Sequence, residues 1–184
     1  ALLLGLGPIL LACDKGDKGD EAEASEGSQA KARAAKDDPN EMVGYDVRRL
    51  RPTDEGLEEV FDRQFKRAVE DGKQVVVVFS ADWCAPCQRL DAEFGNTHPR
   101  SLIGRFRIIE VKEEDWEGAT RMAEFNDLRR RWYAPLGSYP VVVLLDENGQ
   151  KIEEMKEAQQ RLEDEGIEPT LPNWFQSQPT ASMG

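Results

Sequence analysis

Cys84 and Cys87, with Ala85-Pro86 between them, stand just beyond the apolar run Val75-Val76-Val77-Val78-Phe79. An unbroken β-branched run, apolar on both faces, belongs inside a sheet that is covered on both sides. Ser80 to Trp83 turns out of that strand. Cys87, Leu90 and Phe94 then recur at helical spacing before Gly95, so a helix starts at the cysteines. Cys84 is thereby placed at a helix N-terminus, where unpaired N–H groups and the positive dipole end favour a thiolate. Only the thiolate attacks a disulfide. Cys87, one turn further in, is shielded until it resolves the mixed disulfide. Pro86 suits the first helical turn, where its missing N–H costs nothing. Other uses of the pair stay open at this level. They are a zinc half-site completed by His98 and carboxylates, a structural disulfide closing a short loop, and a binding module or relic without redox activity.

The flanking sequence keeps the same alternation. Leu57, Val60, Phe61, Phe65, Ala68 and Val69 predict a helix with Asp54 as N-cap and Gly72 as its left-handed stop. Phe106 to Val111 predicts a strand, and Ala119, Met122, Phe125, Leu128 and Trp132 a long helix. The basic end Arg129-Arg130-Arg131 suits that helix's dipole. Val141 to Leu145 reads as a further strand, and Asn148-Gly149 as a hairpin turn. The order predicts an α/β domain over 45–175, with helices on both faces of a small sheet. Lys151 to Glu165 is strongly charged and lacks an apolar stripe. Leu162, Ile167, Leu171, Trp174 and Phe175 are expected to dock as an irregular ending, with 176–184 as a loose tail.

A net charge of -12 argues against an electrostatic grip on nucleic acid or anionic lipid. The mean hydropathy of -0.63 is low for a chain packed throughout, and the polar part is concentrated near the front. Residues 1–12, ALLLGLGPILLA, fall short of the roughly 20 residues of a membrane-spanning helix and fit the apolar core of a partial signal peptide. Leu10-Leu11-Ala12-Cys13 resembles the lipobox of bacterial lipoproteins, which implies cleavage before Cys13 and lipidation of its thiol. Residues 13–44 are rich in Asp, Lys, Glu, Ala, Gly and Ser and are expected to form a flexible tether.

The segment from Val75 through Ala81, Asp82 and Trp83 to Cys84-Ala85-Pro86-Cys87 closely resembles the active-site segment of the thioredoxin-like family. Gly137-Ser138-Tyr139-Pro140-Val141-Val142-Val143-Leu144 is similar to the family segment in which a cis-proline opens a strand. The resemblance covers Leu57 to Gln150 and is nearest to thioredoxin-like domains of bacterial envelope proteins. It implies a thioredoxin-like fold, a central mixed β-sheet flanked by helices on both faces. It also implies that Cys84 is the nucleophile and Cys87 the resolving thiol. Trp83, Ala85, Pro86, Tyr139 and Pro140 then form the substrate wall, with Trp83 either shielding the sulfurs or simply packing. No cofactor beyond the redox-active Cys84–Cys87 disulfide, and no metal, is implied.

One departure stands out. The family carries a buried Asp six positions before its first cysteine, and here that position is Val78. Asp82 and Glu110 are the candidate proton acceptors in its place. The Ala85-Pro86 pair resembles that of reducing members and lacks the histidine of strongly oxidising exported ones. The expected activity is therefore reduction or isomerisation of disulfides on the periplasmic side of the bacterial cell envelope. The partners would be cysteine-containing exported proteins, a membrane or envelope electron donor, and the membrane itself through lipid on Cys13. A lipid-anchored client- or Cu(I)-binding module and a net dithiol oxidase are the competing expectations.

Overall fold

The apolar stretches of the sequence settle around one five-stranded sheet in the computed structural model, which describes residues 38–133 and 138–178. The first elements are strands β1 (Met42–Gly44) and β2 (Asp46–Arg49), helix α1 (Leu57–Glu70) and strand β3 (Gln74–Ser80). Helix α2 (Ala85–Phe94), strand β4 (Thr97–Pro99), the short helix α3 (Arg100–Ile103) and strand β5 (Phe106–Lys112) follow. After a 3-10 turn at Glu113–Trp116 come helix α4 (Ala119–Arg130), strands β6 (Val141–Leu145) and β7 (Lys151–Glu154), and helices α5 (Met155–Asp164) and α6 (Leu171–Gln176).

The sheet runs in the order β2-β5-β3-β6-β7. β3 is parallel to β5, and β5 to β2, whereas β6 is antiparallel to both β3 and β7. The fold is thus the mixed sheet with helices on both faces that the sequence predicts.

Strand residues alternate between two cores, as the pleat requires. Val75, Val77, Phe79, Ile109, Val111, Val141, Val143 and Leu145 pack with Leu57, Phe61, Phe125 and Leu128 of α1 and α4. Val76, Val78, Ile108, Val142 and Leu144 face the other way, onto Leu90, Ala158, Leu162, Trp174 and Phe175 of α2, α5 and α6. Both faces of β3 are therefore dry, which explains its continuous apolar run.

Several expectations need correction. Helix α1 begins at Leu57 with Gly56 at the N-cap, not Asp54, because the Glu124 carboxylate accepts the Leu57 N–H at 2.9 Å. Met42–Gly44, assigned to the tether, is a strand pairing antiparallel with Thr97–Pro99; backbone pairing needs no apolar side chain. The charged stretch from Lys151 forms a closing strand and helix after all. Its bulk stays outside while Ala158 and Leu162 reach the core. The chain also stays docked past 176, since Arg105 donates to the Gln178 carbonyl at 2.7 Å and Gln178 is buried. The signal segment 1–12, Cys13, the tether up to residue 37, Gly137 and residues 179–184 lie outside the described residues. Among the described residues no helix is long and apolar enough to cross a membrane.

Candidate active site

Cys84 occupies the N-cap of α2, and its sulfur accepts the Cys87 N–H at 3.2 Å. That geometry aims the Cys87 N–H and the positive end of the helix dipole at the sulfur, the arrangement that stabilises negative charge there. Pro86 sits in the first turn, as a residue without an N–H can. The chain enters the turn through a Cys84 N–H bond to the Ala81 carbonyl at 3.1 Å. Cys84 and Cys87 form a disulfide with 5.2 Å between their α-carbons. Both are buried, at 4% and 1% exposure, while Ala85 and Pro86 between them are exposed. The sulfurs thus lie under a small exposed rim.

The opposite wall comes from the start of β6. The Tyr139–Pro140 peptide bond is cis. The register that pairs Phe79 with Val141 brings Pro140 beside the end of β3, from which the cysteine turn departs. Tyr139 packs against the cluster of Ala81, Cys84 and Cys87. Trp83, 66% exposed, stands edge-on to the Tyr139 ring with 5.5 Å between centroids. Burial, with Glu113 beside it, pushes the Tyr139 hydroxyl up to about 12, so it stays protonated at neutral pH.

A charge cluster underlies the turn. Lys112, buried at the end of β5, donates to Asp82 at 2.9 Å and to Asp91 at 2.7 Å, and lies 4.0 Å from Glu110. One ammonium therefore ties the residue two before Cys84 to the residue four after Cys87. The Asp82 N–H in turn donates to Glu114 at 2.6 Å.

The two candidate proton acceptors differ sharply. Asp82 is exposed, and the Lys112 hydrogen bond holds its carboxyl below the usual range. Glu110 is buried beneath the turn, accepts from the Ser80 hydroxyl at 3.1 Å, and is pushed up by burial. Of the two, Glu110 is the carboxyl whose affinity for a proton is raised. His98, the remaining candidate ligand for a zinc half-site, is bonded to Glu93 at 2.8 Å on β4.

The sequence reading did not single out Lys112, Ser80, Glu114 or the burial of Arg129. A lysine closing an otherwise apolar strand was the available signal for the first. The others depend on which strands become neighbours.

A model of a thioredoxin-like domain matches residues 61–162, more than half of the chain. The chain belongs to the thioredoxin-like family. Two curated rice proteins are similar to its central part. A thioredoxin H-type of Oryza sativa subsp. indica is 36% identical over 56 residues, which cover 29% of this chain and 46% of that protein. Thioredoxin H4-2 of Oryza sativa subsp. japonica is 44% identical over 58 residues, covering 30% and 42%. The chain therefore spans under half the length of the curated relatives it matches. Among solved structures, a disulphide isomerase from Xylella fastidiosa Temecula1 covers 68% of this chain and 95% of its own, at 18% identity and a TM-score of 0.46.

Proposed function

We propose that the thioredoxin-like domain works as a thiol–disulfide oxidoreductase that reduces or isomerises disulfides in exported proteins. The observation that carries this reading is the position of the pair. Cys84 caps a helix whose N–H groups favour its thiolate, Cys87 lies one turn inside, and Tyr139 closes the other side.

In the reduced protein the Cys84 thiolate attacks one sulfur of a client disulfide. A mixed disulfide forms and the second client sulfur leaves as a thiolate. Cys87 then loses its proton and attacks the Cys84 sulfur, releasing the other client sulfur and closing Cys84–Cys87. Two electrons have passed to the client, and an envelope dithiol donor restores the pair. Glu110 is the proposed acceptor of the Cys87 proton, directly or through the Ser80 hydroxyl it binds. Anchorage through lipid on Cys13 would hold the domain on the periplasmic side of a membrane.

A redox titration combined with turnover of a protein disulfide such as insulin tests the reading. The wild type should catalyse reduction by dithiothreitol, Cys84→Ser should abolish it, and Cys87→Ser should accumulate a mixed disulfide. A chain that binds clients or Cu(I) at stoichiometry, yet exchanges no disulfide, overturns it. A potential near those of strongly oxidising exported proteins, about -120 mV, reverses the proposed direction.

A further inference from the structure

Arg129 is 1% exposed, although it belongs to a basic helix end that the dipole alone would leave in solvent. Its neighbours behave in that ordinary way: Arg130 pairs with Asp127 at 2.6 Å, and Arg131 pairs with Glu58 and Asp62 on the surface. Among the described residues no carboxylate forms an ion pair with Arg129, and its Nε–H finds no hydrogen-bond acceptor. A buried charge left in this state is unfavourable unless other contacts compensate it.

Two of those contacts converge on the residues just before Pro140. The Arg129 Nη2 donates to the Ser138 carbonyl at 2.8 Å. The guanidinium lies 4.8 Å from the centroid of the Tyr139 ring and 5.4 Å from that of Tyr133. A planar guanidinium favours such stacking, which a lysine ammonium cannot reproduce. On the outer side, Lys156 donates to the Ser138 hydroxyl at 3.3 Å. Tyr139 then carries the arrangement to the site, because its ring packs on the cysteine cluster and against the edge of Trp83.

We propose that Arg129 is a positioning residue for the client wall: by holding the Ser138 carbonyl and the Tyr139 ring it sets where Tyr139 and Trp83 present themselves to an incoming polypeptide. This rests on the reading of Tyr139 as a client contact. Arg129 takes no part in the exchange of sulfurs, so its loss weakens client binding and leaves the reactivity of Cys84 in place.

The test uses the full chain with Arg129→Met and Arg129→Lys. Insulin reduction by Arg129→Met should show a KM raised about tenfold with kcat changed less than about twofold. Reduction of a small aromatic disulfide, which needs no wall, should stay at the wild-type rate. Iodide should quench the exposed Trp83 more strongly in the variant, as the packing on Tyr139 relaxes; a Trp83→Phe background identifies that emission. Arg129→Lys keeps charge and loses stacking, and should shift KM and quenching in the same direction by less. Should Arg129→Met fail to fold, the Lys variant decides by the same two measurements. An unchanged KM with unchanged quenching overturns the proposal, and so does an equal loss of both disulfide activities through kcat. If the wild type exchanges no disulfide, the oxidoreductase reading fails, and the Trp83 quenching alone judges whether Arg129 positions the wall.

Discussion

Glu110 stands beside Val78 in register across the parallel β3–β5 pair. The residue that faces the cysteine-bearing helix from β3 is thus apolar, and the buried carboxylate comes instead from the neighbouring strand. In parallel pairing, residues in register share a face, so Glu110 points to the side on which Val78 and Leu90 pack. A carboxylate is therefore present in this layer even though the expected position lacks one.

The raised Glu110 carboxyl gives a pH dependence of definite sign. Burial favours its neutral form in the fold, so its share of stability is full below the ordinary glutamate value and is lost as pH rises through the raised value. Glu110→Gln should melt above the wild type at pH 8, with the gap closing by about pH 4, near the ordinary value. Thermal unfolding across that range checks it. A variant that melts lower at every pH would show that the carboxylate is net stabilising.

Trp83 should separate stability from function. It is exposed, and among the described residues its ring meets Tyr139 in an edge-on pair. Trp83→Ala should cost about 1 kcal/mol in denaturant unfolding. Its insulin-reduction kcat/KM should fall by more than that loss explains, while the rate with a small disulfide is kept.

How far the sequence was legible follows from what each element buries. Val75–Phe79 and Val141–Leu145 are dry on both faces, so hydrophobicity alone marked them. The strand–turn–helix setting of Cys84 and Cys87 was equally plain, because motif and periodicity agree there. The isomer at Pro140 came from a family resemblance and not from any local signal. The closing strand and helix escaped notice because their buried part is small and polar groups do the docking. Glu153 gathers Arg161, Trp174 and Gln178 on one carboxylate, a cluster drawn from three segments that no window spans. β1 and β4, of three residues each, are joined by backbone pairing. The burial of Arg129 was not legible for a related reason: periodicity located it on the helix end, where it lies, but not beneath Tyr139.

That carboxylate makes Glu153 the clasp of the C-terminal helices. Arg161 reaches it with two bonds at 2.8 and 3.0 Å, Trp174 at 2.7 Å and Gln178 at 2.8 Å. Burial works against its charge, but the bonds from Arg161, Trp174 and Gln178 hold it below the usual carboxylate range. Its stabilisation is therefore present above the ordinary glutamate value and is lost as pH falls through the depressed one. Glu153→Ala leaves several donors without their acceptor and should cost about 3 kcal/mol at pH 7. Urea unfolding at pH 7 and in acid checks it: the difference from wild type should shrink as the solution is acidified.

Lys112 and Glu110 should be coupled, and a double-mutant cycle measures how strongly. Lys112 is 8% exposed, and its ammonium serves Asp82, Asp91 and Glu110 together. Lys112→Met removes the ammonium 4.0 Å from Glu110 and leaves Arg49 as the other cation that favours its charge, so a buried acid loses its nearest counter-charge. Breaking one side of a buried pair costs about 3 kcal/mol or more. Removing the acid as well takes away the group that suffers from the loss, although Asp91 and Asp82 still lose their donor. Lys112→Met alone should therefore be the least stable form, and Lys112→Met/Glu110→Gln should recover about 1 kcal/mol or more of the deficit. The recovery should be largest at high pH, where Glu110, deprived of the ammonium, is most often ionised. Strict additivity at pH 8 would mean that the 4.0 Å approach carries no energy and that Lys112 serves the two aspartates alone.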